Sequence, residues 1–161
     1  MTNLEIMNWL EKKNSPQAYI KCVKRRIAAC VRKQGAEFPG LKYLNSPPVK
    51  ELECKKCGRE KNKPGEKDYK CPAIHAELKA IRSVFLVVGP RGDFGNLIIG
   101  NYDLFVTHFP CKNCALLSIY LGIKNIFYRY EYYNSGEEQG REIIECVRSF
   151  LEKGKVGLFK I

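Results

Sequence analysis

The chain of 161 residues contains no uninterrupted apolar run of about 18 residues, which is the length a helix needs to cross a bilayer. Its first residues, Met1–Glu5, lack the basic and apolar regions of a secretory signal peptide. Internal repeats and a linker that would divide the chain are also missing. These absences predict a cytoplasmic protein with no membrane partner, in which residues 1–161 form a single domain.

Acidic residues are few, because 17 Asp and Glu stand against 28 Lys and Arg, for a formal net charge of +11. The imbalance lies mainly in residues 1–70, which hold 17 of the basic residues but only 8 of the acidic ones. A basic half favours an anionic partner, either a nucleotide phosphate or a polynucleotide backbone, although a solvated basic surface explains the same numbers. Arg25 and Arg26 are candidates for holding a phosphate.

Cysteine is abundant, with eight residues in a chain that shows no secretory signal. In a reducing cytosol, clustered cysteines bind metals more often than they form disulfides. The sequence His75-Ala76-Glu77 precedes Pro110-Cys111-Lys112-Asn113-Cys114. This H-x-E followed by P-C-x-x-C is the signature of zinc-dependent nucleobase deaminases.

The chemistry of such a site accounts for each residue of the signature. His75, Cys111 and Cys114 supply three zinc ligands and leave the fourth position for water. The i, i+3 spacing of the two cysteines places both thiolates on one side of a helical turn. Glu77, two positions after His75, is the predicted proton carrier.

Two other interpretations of these residues remain open. Cys54, Cys57, Cys111 and Cys114 form a C-x-x-C…C-x-x-C pattern that fits a structural zinc ribbon, but this leaves His75 and Glu77 without a role. Alternatively, His75 and Glu77 are ordinary residues on a helix surface.

Hydrophobic periodicity and turn signals predict a three-layer α/β fold with a mixed sheet. Three helices are predicted to have an apolar face, formed by Leu4, Met7 and Leu10 in the first, by Leu78, Ile81 and Phe85 in the second, and by Ile143, Ile144, Val147 and Leu151 in the third. Cys30 and Cys146 are predicted to lie in the core. Gly122 is predicted to end a helix. The predicted helices are 3–13, 16–22 with Ser15 as its N-cap, one from near Ala73 that carries His75 and Glu77 in its first turns, 112–121 and 137–152. The predicted strands are 27–31, 41–44, 104–107, 126–128 and 156–161.

Residues 74–81, 105–115 and 122–128 resemble those of deoxycytidylate (dCMP) deaminases, particularly the late-competence type around Thr107-His108-Phe109-Pro110-Cys111. The resemblance extends over roughly residues 20–160. It implies the cytidine-deaminase-like fold, a five-stranded sheet with helices on both faces. It also implies conversion of dCMP to dUMP and ammonia for dTTP synthesis, and a homo-oligomer that is often a hexamer.

The same resemblance implies further site residues. Asn45 is at the position of the family's sugar-contacting asparagine, Tyr132 at that of a tyrosine beside the base, and Ala76 is a further substrate contact, with Arg26 taken as a phosphate contact. Several members carry a second, structural zinc, and its ligands here are Cys22, Cys54, Cys57 and Cys71. Free buried thiols are the alternative for these four cysteines.

Three other functions compete with dCMP deamination. A polynucleotide deaminase, such as a tRNA adenosine deaminase, shares both motifs but typically reads E-P-C-x-M-C at the second, where this chain has Phe109-Pro110-Cys111-Lys112-Asn113-Cys114. Deamination of dCTP is another alternative. A non-catalytic zinc-binding module is the third, and the completeness of both motifs argues against it.

The second zinc predicts the metal content of the purified protein. We expect two zinc ions per chain, and one after Cys54→Ser, because a closed four-thiolate site loses its affinity with one ligand. Elemental analysis measures this, with Cys30→Ser as the control that keeps both ions. A single zinc that is unchanged by Cys54→Ser would refute the second site.

Overall fold

The computed structural model describes residues 1–12, 27–45, 73–88, 101–131 and 138–161, apart from the side chains of residues 85–88 and 139. These ranges contain four helices and five strands: α1 Asn3–Glu11, β1 Ala28–Lys33, β2 Tyr43–Leu44, α2 Ala76–Val88, β3 Tyr102–His108, α3 Lys112–Tyr120, β4 Asn125–Tyr130, α4 Glu138–Lys153 and β5 Gly157–Lys160. The predicted order of strands and helices is confirmed. The predicted helix over 16–22 lies outside the described residues. Within the described ranges, no helix has the length and apolar content that a membrane span requires.

The strands form one sheet in the order β2-β1-β3-β4-β5. β1 runs antiparallel to both β2 and β3, whereas β3, β4 and β5 are mutually parallel neighbours. Parallel neighbours need crossover connections, and α3 and α4 follow β3 and β4 in the chain accordingly. The predicted mixed, five-stranded sheet is therefore confirmed.

Alternating residues of each strand bury opposite faces of the sheet. Ala28 and Cys30 of β1 face α1, which contributes Ile6, Met7 and Leu10 to the same core. The intervening residues of β1 face the larger core, which α2, α3 and α4 cover. The larger core contains Ala29, Val31, Ala76, Ala80, Ile81, Val84, Leu104, Val106, Phe109, Ala115, Ile126, Tyr128, Ile144, Val147 and Leu151. Helices on both sides of the sheet give the predicted three layers.

The apolar face predicted for α1 was partly wrong. A capping box joins Thr2 and Glu5 at the start of this helix, and Ile6, Met7 and Leu10 are buried. Leu4 is instead 53% exposed. The helix therefore turns Ile6, rather than Leu4, toward Phe105 and Phe127 of the sheet.

The helix that follows the H-x-E motif begins later than predicted. α2 starts at Ala76, and the carbonyl of His75 accepts the amide of Lys79, so His75 precedes the helix and caps it. Leu78 is 42% exposed, and Ala80 and Ile81 occupy the core-facing positions. The side chain of Phe85 is outside the description.

Two residues predicted to be buried on α4 are not. Cys146 is exposed and Ile143 is half-buried, whereas Ile144, Val147 and Leu151 are buried. The three buried residues are spaced three and four positions apart, so they form one narrow apolar stripe along the helix. Ile143 and Cys146 lie beside this stripe and not within it. Cys30 lies in the core as predicted. Gly122 also ends α3 as predicted, with a positive φ of 71°.

Asp103 joins three strands at the end of the sheet where β3 begins. Its Oδ1 accepts from Asn125 Nδ2 at 2.8 Å and from Gln34 Nε2 at 3.1 Å. Its Oδ2 lies 3.6 Å from Arg32 Nη2, and this guanidinium also donates to Asn3 of α1. Because the carboxylate is buried, these hydrogen bonds and the ion pair with Arg32 offset the solvation that its charge loses.

Replacing this carboxylate should destabilise the fold. We expect Asp103→Ala to lower the free energy of unfolding by about 3 kcal/mol, because a largely buried guanidinium loses its anionic partner and Asn125 and Gln34 lose their acceptor. Urea denaturation measures the change. Glu145→Ala, at an exposed position of α4, is the control and should change stability by less than about 0.5 kcal/mol. Equal stability of the two variants would contradict this role of Asp103.

Candidate metal centre

The segment that carries the two cysteines is held where β3 ends. The amide of Phe109 donates to the carbonyl of Tyr130 at 2.7 Å, and the Phe109 ring packs edge-on against Tyr128 with a centroid separation of 5.2 Å. Two residues later Cys111 caps α3, since its carbonyl accepts the amide of Ala115. The backbone around Cys111 is thus fixed by β4 on one side and by the first turn of α3 on the other.

One imidazole and two thiols meet between the starts of α2 and α3. The donor atoms of His75, Cys111 and Cys114 all lie within 4.8 Å of one another. His75 Nδ1 is 3.5 Å from Cys111 Sγ and 3.4 Å from Cys114 Sγ, so Nδ1 is the ring nitrogen that faces both sulfurs. A tetrahedral zinc with Zn–N and Zn–S bonds of about 2.0 and 2.3 Å separates such ligands by roughly 3.5 Å. The spacing and the donor chemistry both fit zinc.

The two thiols differ sharply in acidity. A hydrogen bond from the Cys114 thiol lowers the pKa of Cys111 to about 4, and the neighbouring His75 adds to the effect. The pKa of Cys114 is raised, because its thiol donates to Cys111 and because it is buried. The pair therefore holds a thiolate at Cys111, at the start of a helix that favours negative charge. A divalent cation would compensate the second thiolate.

Glu77 is a carboxyl group buried beside this cluster. It is 3% exposed, and burial is the main cause that raises its pKa above the usual range. The carboxyl group contacts its own backbone amide and the Cys114 thiol. Its Oε2 has no hydrogen-bond partner among the residues that the structure describes. A buried oxygen without a partner is rare, and it marks a position where a ligand or water belongs.

Two contacts tie the start of α2 to the end of β2. Asn45 Oδ1 accepts the amide of Ala76 at 2.6 Å, and both residues are buried. Lys79 Nζ donates to the carbonyl of Leu44 at 3.2 Å. The amide of Asn45 in turn donates to the carbonyl of Ile27 at 3.0 Å, which links these contacts to β1. The residue between His75 and Glu77 is thereby anchored to the sheet.

The structure brings six of the predicted site residues into one region: His75, Ala76, Glu77, Cys111 and Cys114, with Asn45 at its edge. Tyr132, Arg25, Arg26 and the four predicted ligands of a second zinc, Cys22, Cys54, Cys57 and Cys71, lie outside the described residues. A four-cysteine site would leave His75 and Glu77 without a role. In the described part of the chain, the imidazole of His75 and the carboxyl group of Glu77 instead lie beside the two cysteines of the second motif.

Sequence reasoning missed the contribution of Lys79. The contact between its ammonium and Leu44 joins residues 35 positions apart, and no local pattern signals it. His108 belongs to the T-H-F-P-C segment, but the sequence assigns it no role. Its Nδ1 lies 3.0 Å from Thr107 Oγ1, and its ring packs against Tyr130 at 5.4 Å, so it borders the cysteine segment.

A family model describing the cytidine and deoxycytidylate deaminase zinc-binding region matches residues 5–130. The match includes both motifs of the metal centre and four of the five strands. No significant match to a curated protein sequence is found.

Solved structures share the fold. The dCMP deaminase of the cyanophage S-TIM5, in complex with dCMP and dUMP, is 21% identical, with a TM-score of 0.55 over 87% of this chain and 84% of that chain. Its apo form is 20% identical, with a TM-score of 0.52 over 88% and 85%. A structure from work on A-to-I editing by tRNA:A34 deaminases is 20% identical over 65% and 60%, and its TM-score of 0.40 is too low to carry an argument. The two phage structures establish the cytidine-deaminase-like fold of this chain.

The metal centre predicts which cysteine substitutions release zinc. We expect Cys114→Ser to weaken zinc binding at this centre by at least about a hundredfold, because it removes one of three protein ligands. Competition with a chromophoric chelator measures the affinity. Cys146→Ser removes an exposed thiol of α4 and is the matched control. Similar zinc affinities in both variants would show that the cluster does not hold the metal.

Proposed function

Because this chain belongs to the cytidine and deoxycytidylate deaminase zinc-binding family, we propose that it hydrolyses dCMP to dUMP and ammonia. In this proposal His75, Cys111 and Cys114 hold the catalytic zinc and Glu77 carries protons. The conversion supplies dUMP for dTTP synthesis, and its setting is the cytoplasm.

One observation carries the chemical part of the proposal, namely the buried Glu77 carboxyl group beside three zinc-type ligands. Its Oε2 lacks a partner among the described residues, although burial makes an unpaired polar atom unfavourable. A substrate or water that occupies this position removes the penalty. Burial raises the pKa of Glu77 above its usual range, whereas an exposed carboxylate would be solvated and would keep a lower pKa.

The reaction is a hydrolysis at C4 of the cytosine ring. Zinc bound at the centre supplies Lewis acidity that activates water. The Glu77 carboxylate accepts a proton from water while the water oxygen bonds to C4, and it delivers that proton to N3. It then accepts the proton of the new C4 hydroxyl and transfers it to the amino group, so that the C4–N bond breaks, ammonia leaves and the C4 carbonyl forms. Water and dCMP are thus converted to dUMP and ammonia, and Glu77 returns to its starting state.

Sequence resemblance, fold and charge together favour dCMP as the nucleotide. The T-H-F-P-C segment resembles dCMP deaminases, and the fold is that of a phage dCMP deaminase solved with dCMP and dUMP. The basic first half of the chain suits a phosphate-bearing substrate. In this proposal Asn45 contacts the sugar, Tyr132 the base, Ala76 the substrate through its place between His75 and Glu77, and Arg26 the phosphate.

Two further properties complete the proposal by resemblance. Cys22, Cys54, Cys57 and Cys71 hold a second, structural zinc, and the chain assembles as a homo-oligomer, with a hexamer as the expected form. Light scattering of the purified protein measures the oligomeric state.

A second candidate is deamination of a polynucleotide, which the net charge of +11 favours. The second motif of this chain argues against a polynucleotide substrate, because Lys112-Asn113 lies between the two cysteines where tRNA adenosine deaminases typically have x-M. Deamination of dCTP is a third alternative, within the same chemistry.

The proposal predicts a pattern of substrate turnover. We expect ammonia release from dCMP, with little from dCTP, cytidine, single-stranded DNA or RNA, when the purified protein is tested with each. Glu77→Gln should lower kcat by at least about a thousandfold, because the amide cannot accept and return a proton.

Controls separate loss of chemistry from loss of metal. Glu77→Gln should retain its zinc, since Gln has nearly the same shape and Glu77 is not a proposed ligand. Glu142→Gln, at an exposed position of α4, should leave kcat within about twofold. Turnover of polynucleotides alone would favour the second candidate, and full activity of Glu77→Gln would remove Glu77 from the mechanism.

A further inference from the structure

Asn45 stands between the sheet and the metal centre, and its side chain makes the contact that begins α2. Its Oδ1 accepts the amide of Ala76 at 2.6 Å, in an environment where Asn45 is 7% exposed and Ala76 is fully buried. The flanking residues of Ala76 are His75, whose Nδ1 faces the two sulfurs, and Glu77. The contact therefore acts on the short segment that contains both a metal-type ligand and the buried carboxyl group.

The chemistry of the partners fixes the orientation of the Asn45 carboxamide. A backbone amide can only donate, so the atom that faces Ala76 is the acceptor Oδ1 and not Nδ2. The Nδ2 group is then the donor of the carboxamide that this contact does not use. Within the described part of the chain, the hydrogen bonds of Asn45 are those of its Oδ1 to Ala76 and of its backbone amide to Ile27.

The anchoring of Asn45 makes it a rigid support. Its own amide is bound to Ile27 beside β1, and the adjacent Leu44 carbonyl receives the ammonium of Lys79 from α2. Two contacts, one from Asn45 and one from Leu44, thus hold the first turn of α2 against the end of β2. If the contact from Asn45 is lost, the Ala76 amide becomes a buried donor without an acceptor, and the turn must shift to find one.

We propose that Asn45 is a positioning residue for the metal centre, acting through the Ala76 amide to fix where His75 and Glu77 lie relative to Cys111 and Cys114. In the proposed function the same side chain contacts the sugar, and Nδ2 is the donor that the contact with Ala76 leaves for it. One side chain therefore couples substrate contact to the geometry of the metal ligand. The second part rests on the proposed function, whereas the first depends only on metal binding.

Two substitutions separate the two ends of the carboxamide. Asn45→Asp keeps an acceptor for the Ala76 amide but removes the Nδ2 donor. Asn45→Leu removes both. Zinc affinity, measured by chelator competition, and the visible spectrum of the cobalt-substituted protein report the ligand geometry without any turnover. KM and kcat for dCMP report the substrate end.

We expect Asn45→Leu to weaken zinc binding at this centre by about tenfold or more and to alter the cobalt spectrum, as losses of groups that orient a ligand do. Asn45→Asp should keep zinc affinity within about threefold and retain the spectrum, while its KM rises by about tenfold or more because a donor is missing. If Asn45→Leu does not fold, Asn45→Ala removes the same acceptor without adding an apolar branch.

The control lies on the same helix. Ser83 donates to the carbonyl of Ala80 one turn further along α2, so Ser83→Ala removes a hydrogen bond that does not involve the start of the helix. Zinc affinity should be unchanged in this variant. Unchanged zinc affinity in Asn45→Leu, or an equal loss in Asn45→Leu and Asn45→Asp, would overturn the positioning role. These metal readouts stand even if dCMP is not the substrate, and a failure of turnover alone would count only against the proposed function.

Discussion

The approach of His75 Nδ1 to the sulfurs of Cys111 and Cys114 depends on the placement of two helices. His75 and Cys111 are 36 positions apart in the sequence. His75 directly precedes α2, and Cys111 directly precedes α3. The sheet supports each helix start separately. Tyr130 of β4 holds the backbone at Phe109, and Asn45, after β2, holds the amide of Ala76. The mixed sheet is the frame that brings these two supports to the same edge.

The surroundings of the three ligands explain why proton transfer and metal binding occur together. The hydrogen bond from Cys114 lowers the pKa of Cys111 and so favours its thiolate form, which attracts cations to this part of the site. Glu77 is buried next to Cys114, where its charge is less well solvated. A cation at the centre would favour the ionised carboxyl group. Metal binding and the readiness of Glu77 to accept a proton are therefore linked by electrostatics.

Patterns that depend on neighbouring residues predicted the fold well. Short apolar runs located all five strands, and the two motifs identified the residues that meet at the metal centre. The predictions of burial were wrong where contacts between distant parts of the chain determine which side of a helix is covered. Leu78 and Cys146 have the spacing or character of core residues, yet the sheet lies against other stripes of α2 and α4. The contact of Asn45 with Ala76 spans 31 positions, and a residue type alone does not show which end of its side chain is engaged.

The place of α1 on the sheet also bears on how the chain folds as it leaves the ribosome. Among the described helices, α1 alone covers its face of the sheet, and its partners include Phe105 and Phe127, about a hundred residues downstream. A helix of nine residues is marginal by itself in water. At roughly 5–20 residues per second, several seconds pass before those partners are synthesised. The contacts of α1 with Phe105 and Phe127 therefore form only after that delay, and Ile6, Met7 and Leu10 are apolar surfaces for chaperones to shield in the interval.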